Sequence, residues 1–582
     1  VIALALLIAV AISALAATAL GLWHGVLDAS VAWLSLVAGA LGGVWSWWKT
    51  PHAHVRREPP GPWEWGAIVV YALASARAFL WLVFTDGDKI KVLSPNNLGD
   101  LALHLTYIRH LASGAAFWPD NPILTHSQLS YPIGVDLFNA LLTLAGVDPL
   151  RGLIWVGLGG AALTGVALWR WGRGIALLAL LANGGLAALA ILATRELADF
   201  QATLAWKNLF LALIVTQRGL LYALPAGLFL LVSWRARYLD GAEGDRLPRW
   251  AELLLYASLP LFHLHTFIFL SLLLASWFVL LPERRRDLGA FIAAAFLPAT
   301  ALVLLVTGGA HGAGVIGIKL GWMWDEDDWV KWCGEHLRGP ARLSAGLLFW
   351  PVNFGFALPL VAWLGWRLWN DPASIRARAV FFPALFIFLL CVVVKFAPWE
   401  WDNTKIMIWS WLAIIPLAWE QLIAARPLAQ RVLTGFALFG SGLASLAGGL
   451  DGSHIGYDLA TRGTLDAVEK AVEPLPIRAR FASYPTYNHP LLLTGRSVAL
   501  GYPGHTWSHG LQWEGVAAHV DALMNGAPDW RAAAVELGVR YLFWGDEERE
   551  HYGDSPQPWK ERATLVAQGD WGELYDLRPA LR

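Results

Sequence analysis

The sequence predicts a polytopic α-helical membrane protein of about thirteen transmembrane helices, followed by a small α/β domain outside the membrane. Three observations carry this. Of 582 residues, 57% are hydrophobic and 15% charged, against about 25% charged in soluble domains. Apolar runs long enough to cross roughly 30 Å of hydrocarbon recur from the first residue onward. Arg and Lys cluster in alternate connections between those runs. The net charge of −1 offers no basic footprint, so nucleic acid is excluded as a partner and the lipid bilayer is expected. Cys333 and Cys391 alone support neither a disulfide framework nor a zinc site. The 35 Trp residues are a marked excess. Trp collects at membrane interfaces and stacks on sugar rings.

The spans are read at 1–22, 30–48, 63–84, 152–171, 174–193, 219–235, 250–263, 266–282, 288–307, 343–366, 379–396, 404–424 and 431–450. The chain opens on Val1 rather than Met, as expected of an incomplete or processed start. Residues 1–22 lack the basic leader of a signal peptide and read as a helix. Loops holding Lys49, Arg56 and Arg57; Arg170 and Arg173; and Arg235, Arg237, Arg246 and Arg249 fall on one side. So do those holding Arg284–Arg286; Arg367, Arg376 and Arg378; and Arg426 and Arg431. The positive-inside rule makes that side cytoplasmic, with the N-terminus there and the tail outside.

The opposite side carries the long connections 85–151, 194–218 and 308–342, the shorter 397–403, and the tail from 451. Long loops in a compact bundle are usually functional. One hairpin, 250–282, is short. Two helices of about 16 residues reach only about 24 Å, which sets the tip Leu261–Thr266, with His263 and His265, below the outer surface. Such imidazoles line a protein cavity or cap the hairpin. The tail reads as β-like at 479–484, 497–502, 541–544 and 572–577, and helical at 458–472, 515–525 and 529–537. Its run Gly504–Gly510 is rich in His and aromatics and suits either a polar acceptor or a turn.

The first outer loop holds Asn96-Asn97-Leu98-Gly99-Asp100 and, four residues on, His104. Apolar residues at 101, 103, 105, 108 and 111 predict an amphipathic helix along the membrane surface, with Asp100 in its first turn and His104 on the same face. Asp100 is then a helix cap or a catalytic carboxylate. Arg218 and Lys405 each open a helix, against the macrodipole, which a bound anion would reconcile. Lys405 is equally placed to pair with Asp402. The acidic run Asp325–Asp328 reads as a solvated turn, with a divalent cation as the alternative.

These residues resemble a known family. Gly99-Asp100 with His104 and Ile108, Asn121-Pro122, and Tyr131-Pro132 with Asp136 resemble the first outer loop of GT-C-type membrane glycosyltransferases, closest to a bacterial branch. Thr216–Gly219, His263–Thr266, Trp350 with Asn353 and Gly355, and Trp401-Asp402-Asn403 with Lys405 resemble it too. The likeness covers about 63–425, with a looser one over 488–510, and leaves 1–62 as two additional helices before a core over 63–450. The resemblance implies a GT-C-like fold in a bacterial inner membrane. It implies a polyprenyl-phosphate sugar donor, a glycan, lipid or protein acceptor, and Asp100 as base. An outward site cannot draw on cytoplasmic nucleotide sugars, which suits a lipid-linked donor. On this reading Asp100 and His104 are catalytic, and Arg218, His263, His265 and Lys405 bind the donor phosphate. Asn97, Tyr131, Asp402 and Asn403 contact substrate. No cofactor is required, with a divalent cation the alternative. Competing classes are a structural subunit of a membrane complex and a transporter or flippase of a lipid-linked solute. Arg77 inside the third span suits a polar path, while the lack of an internal repeat does not.

Overall fold

The computed structural model describes residues 1–50, 58–308, 315–453 and 455–581, with the side chains of 340–345 left aside. Arg56 and Arg57 lie outside the described residues. Helices dominate, and most predicted spans are found: Ile2–His24, Ala29–Lys49, Pro62–Leu80, Leu220–Trp234, Arg249–Phe262, Leu264–Leu280, Arg285–Val306, Ile375–Val393, Thr404–Ala418 and Leu428–Gly449. Among the described residues, seven helices are long and apolar enough to cross a membrane, or eight if one bent pair counts as a span. The other predicted spans are shorter or broken helices, so length and composition do not reach thirteen.

Two spans differ from expectation. The segment predicted at 174–193 stops at Leu181, and only short turns follow at Ala187–Ala190 and Ile191–Thr194. The segment predicted at 343–366 is broken at Gly355, where its two halves bend by 88°. The two breaks pack against each other. Gly185 has φ +105°, and a Cβ there would lie 2.7 Å from the Val352 carbonyl oxygen, so only glycine fits. Asn183 and Asn353 then spend their amides on the loop between them. Asn183 Oδ1 accepts from the Leu209 N–H (2.8 Å) and Asn353 Oδ1 from that of Trp206 (2.8 Å). Side chains beside each break thus satisfy buried backbone N–H groups of that loop.

The basic loops gather at one end of the bundle. Arg173 forms two 2.7 Å bonds to Glu64, and Arg170 meets Asp245 at 2.9 Å. Arg249 bonds Glu252 at 2.8 Å and also pairs with Asp287. Trp63 and Trp65 are exposed near this end, as an interface belt requires, whereas Trp234 is fully buried and packs within the core.

At the opposite end the tail is built into the first outer loop. Its five-stranded sheet runs Ser497–Val498, Arg480–Ala482, Tyr541–Trp544, Gly572–Asp576 and Thr564–Gly569 in spatial order. The last of these was not expected from the sequence. Loop residues 122–125 lie along its edge: the Thr125 N–H donates to the Ala499 carbonyl (2.9 Å) and the Gly501 N–H to that of Ile123 (2.8 Å). Tyr457–Thr461, expected to begin a helix, is a strand paired with Lys89–Val92 of the loop hairpin. The helix predicted over 100–111 forms as Asn97–Ala112. It is covered by the tail rather than lying open on a membrane surface, and Leu101 through Ile108 are all buried.

Candidate active site

Asp100 sits in the first turn of Asn97–Ala112, where a carboxylate suits the helix dipole. It does not cap the helix. Its Oδ2 accepts from Gln217 Nε2 at 3.3 Å, and burial holds its carboxyl above the usual range, against the pull of His104 and Lys405. His104 Nδ1 faces Asp136, 2.9 and 3.0 Å from the two carboxylate oxygens. Tyr131 lies between them and the tail, its ring 4.7 Å from that of His509.

Two adjoining cavities meet here. The smaller, about 150 Å³, is lined by Asp100, Lys207, Trp399, Trp401 and His505. The larger, about 330 Å³, is lined by His263, His265, Thr307 and apolar Phe262, Ile268 and Phe396. They share Tyr131, Gln217, Asp402, Lys405, Ser508 and His509. Lys405 Nζ is 2.9 Å from Asp402 Oδ1, and both residues are nearly buried. The helix opening at Leu220 brings Gln217 in because Gly219 lets the chain pass closely: a Cβ there would lie 2.2 Å from the Phe262 carbonyl oxygen.

The hairpin tip is a one-residue break. His263 Nδ1 accepts from the Thr266 N–H (3.2 Å) and so caps Leu264–Leu280. Its ring proton is then on Nε2. That Nε2, like Nε2 of His265, is buried without a hydrogen-bond partner.

Other predicted residues lie apart from the cavities. Arg218 is 1% exposed, and its Nη2 donates to the Leu153 carbonyl at 2.6 Å. Asn97 is buried with neither amide atom partnered. Asn403 is spent on backbone: Oδ1 accepts from the Phe396 N–H (2.9 Å), and Nδ2 donates to Cys391 (2.7 Å) and Val394 (2.8 Å) carbonyls. The acidic run is not simply solvated. Asp327 is fully buried, accepting from Ala205 N–H (3.1 Å) and Asn353 Nδ2 (2.8 Å), and Glu326 accepts from Trp399 Nε1 (2.9 Å).

Sequence reasoning passed over Gln217 and Asp136, although both lie in the motifs quoted above, and left the tail histidines undecided. Burial lowers His505 to about 4 and His509 to about 3, so both are neutral at physiological pH. Burial also lowers Lys207, whose ammonium lies 5.2 Å from the Trp401 ring centroid. Among the described residues, Glu547, Glu550 and His551 are the group close enough to share a metal ion. They lie on a tail helix outside both cavities. Larger cavities of about 600 Å³ at the basic end, about 950 Å³ of apolar groove along the first helix and about 470 Å³ beside Tyr71 hold none of the predicted residues.

No protein-family model matches the chain, and no curated protein is similar to it. Solved structures are similar in chain path. The apo oligosaccharyltransferase of Archaeoglobus fulgidus is 12% identical with a TM-score of 0.48, over 86% of this chain and 73% of that one. Oligosaccharyltransferase AglB of the same organism, in complex with an inhibitory peptide and a dolichol-phosphate, is 12% identical with a TM-score of 0.46, over 88% and 74%. ArnT from Cupriavidus metallidurans bound to undecaprenyl phosphate is 14% identical with a TM-score of 0.38, over 89% and 99%.

Proposed function

We propose that this protein is a membrane glycosyltransferase that moves a sugar from a polyprenyl-phosphate-linked donor to an extracytoplasmic hydroxyl acceptor, with inversion. One observation supports it above the rest. A carboxylate of raised proton affinity and two imidazoles whose Nε2 atoms are buried without partners open into adjoining cavities that share Lys405 and Asp402. Asp100 takes the acceptor proton while the acceptor oxygen attacks the anomeric carbon. His263, His265 and Lys405 stabilise the leaving phosphate through N–H donors. The Trp399 and Trp401 rings flank the sugar. Arg218, away from both cavities, acts on this site only from behind. The N-terminus and basic loops face the cytoplasm of a bacterial inner membrane, and the tail faces outward.

The test is transfer in proteoliposomes holding the full chain and undecaprenyl-phosphate-linked radiolabelled hexoses. Asp100→Asn is expected to lower turnover by about 10²–10⁴-fold while the protein still folds; undiminished transfer overturns the assignment. Replacing both His263 and His265 with Ala should weaken retention of undecaprenyl phosphate by roughly ten- to a hundredfold, the worth of a charge-assisted bond. Unchanged retention would place the phosphate elsewhere.

A further inference from the structure

Asp136 is 2% exposed and lies 32 residues beyond His104, yet both its oxygens sit 2.9 and 3.0 Å from the same imidazole nitrogen. An ionised carboxylate only accepts hydrogen bonds, so His104 Nδ1 must be the donor. Nε2 of His104 then has its lone pair free, and it makes no hydrogen bond among the described residues. The titratable groups that bear on this ring are Asp136 at Nδ1, Asp100 one turn earlier on the helix, and the neutral His505 and His509 from the tail. Asp136 is backed by Arg218, whose charge acts on it and whose Nε and Nη1 have no partner. A buried carboxylate needs such a cation.

We propose that Asp136 is a positioning residue: it fixes the proton of His104 on Nδ1 and leaves Nε2 to draw the proton onward from Asp100. This rests on the transferase reading above. In the reaction the acceptor O–H proton moves to Asp100 as the bond from oxygen to the anomeric carbon forms and the bond from that carbon to the phosphate oxygen breaks. The proton then passes to His104 Nε2, giving an imidazolium held against the Asp136 carboxylate and restoring ionised Asp100. Solvent takes the proton before the next turnover. Arg218 thereby gains a role that its distance from the cavities would not suggest. Its buried charge bears on Asp136 without a direct bond between them.

The placement of the proton is read without any substrate. In full-length protein labelled with ¹⁵N-histidine and held in nanodiscs, the His104 resonances are assigned by their loss in His104→Gln. The wild type should carry the proton on Nδ1, shifted downfield by the carboxylate. Asp136→Asn, whose amide can donate as well as accept, should lose that signal and populate the Nε2-protonated form, with Asp136→Glu restoring it. In the transfer assay Asp136→Asn should lower kcat roughly ten- to a hundredfold with KM for the lipid donor within about twofold. A wild-type proton on Nε2, or a tautomer that ignores Asp136→Asn, overturns the proposal. So does full kcat in that variant, in which case the transferase reading still stands. If Asp100→Asn retains transfer, Asp100 is not the base and the relay fails, whatever the tautomer; no transfer by the wild type overturns the transferase reading itself.

Discussion

The two ends of the helical bundle use charge differently. At the basic end, carboxylates are saturated. Glu252 is fully buried and accepts from Arg249 (2.8 Å), Arg237 (3.3 Å) and Ser233, and Glu64 holds Arg173 through two bonds. At the opposite end, polar groups are under-satisfied. Asp100 has one neutral donor at 3.3 Å, and two imidazole nitrogens have none. Saturated buried charge holds a fold together, whereas unsatisfied buried polarity costs stability unless a ligand completes it. The contrast sets saturated polarity at one end against polarity open to a ligand at the other.

Three experiments bear on that contrast. The largest effect at neutral pH is expected from Glu252→Ala. Removing the shared acceptor strands two partly buried guanidinium groups, and thermal unfolding in nanodiscs should show a loss of roughly 2–4 kcal/mol. An unchanged midpoint would mean that the basic end is not held by its charges.

Next comes acid. Neutral His505 and His509 have folded values near 4 and near 3, below the unfolded value of about 6.5. The unfolded chain therefore binds more protons between those limits. Stability is complete above about pH 6.5 and is lost as pH falls toward 4, by up to ~1.4 kcal/mol per pH unit for each ring. Replacing both with Asn should flatten this slope; a slope that persists would place the acid sensitivity elsewhere.

The smallest effect is the most telling. The folded value of Asp100 lies above its unfolded one, so its ionised form disfavours folding and the cost grows as pH rises through that window. Asp100→Asn should raise the melting temperature at neutral pH by about 1–2 °C while lowering turnover about 10²–10⁴-fold. A lowered melting temperature would mark Asp100 as structural, like Glu252.

Much of the helical framework was legible because apolar runs declare themselves whatever packs on them. The breaks at Gly185 and Gly355 were not, since each exists only because the other is opposite it. Asp100 and Lys405 stood out from local spacing, and both line the cavities. Arg218 stood out by the same signal and Asn403 through the family resemblance, yet one lies behind the site and the other is spent on backbone groups. A side chain's type and neighbours in the chain do not say which backbone groups need it. The amphipathic pattern of 100–111 was read correctly as a helix and wrongly as a surface one, because its cover comes from the tail.

The sequence by itself therefore determined a membrane-type helical bundle, a strand-bearing tail and a polar first loop, because composition and periodicity are local properties. Only the tertiary structure decided what the polar residues do. Asp136 reaches His104 across 32 residues, and His509 meets Tyr131 from nearly the far end of the chain. Hydrogen bonding acts over about 3 Å, and which groups come that close is set by packing, to which spacing along the chain is blind.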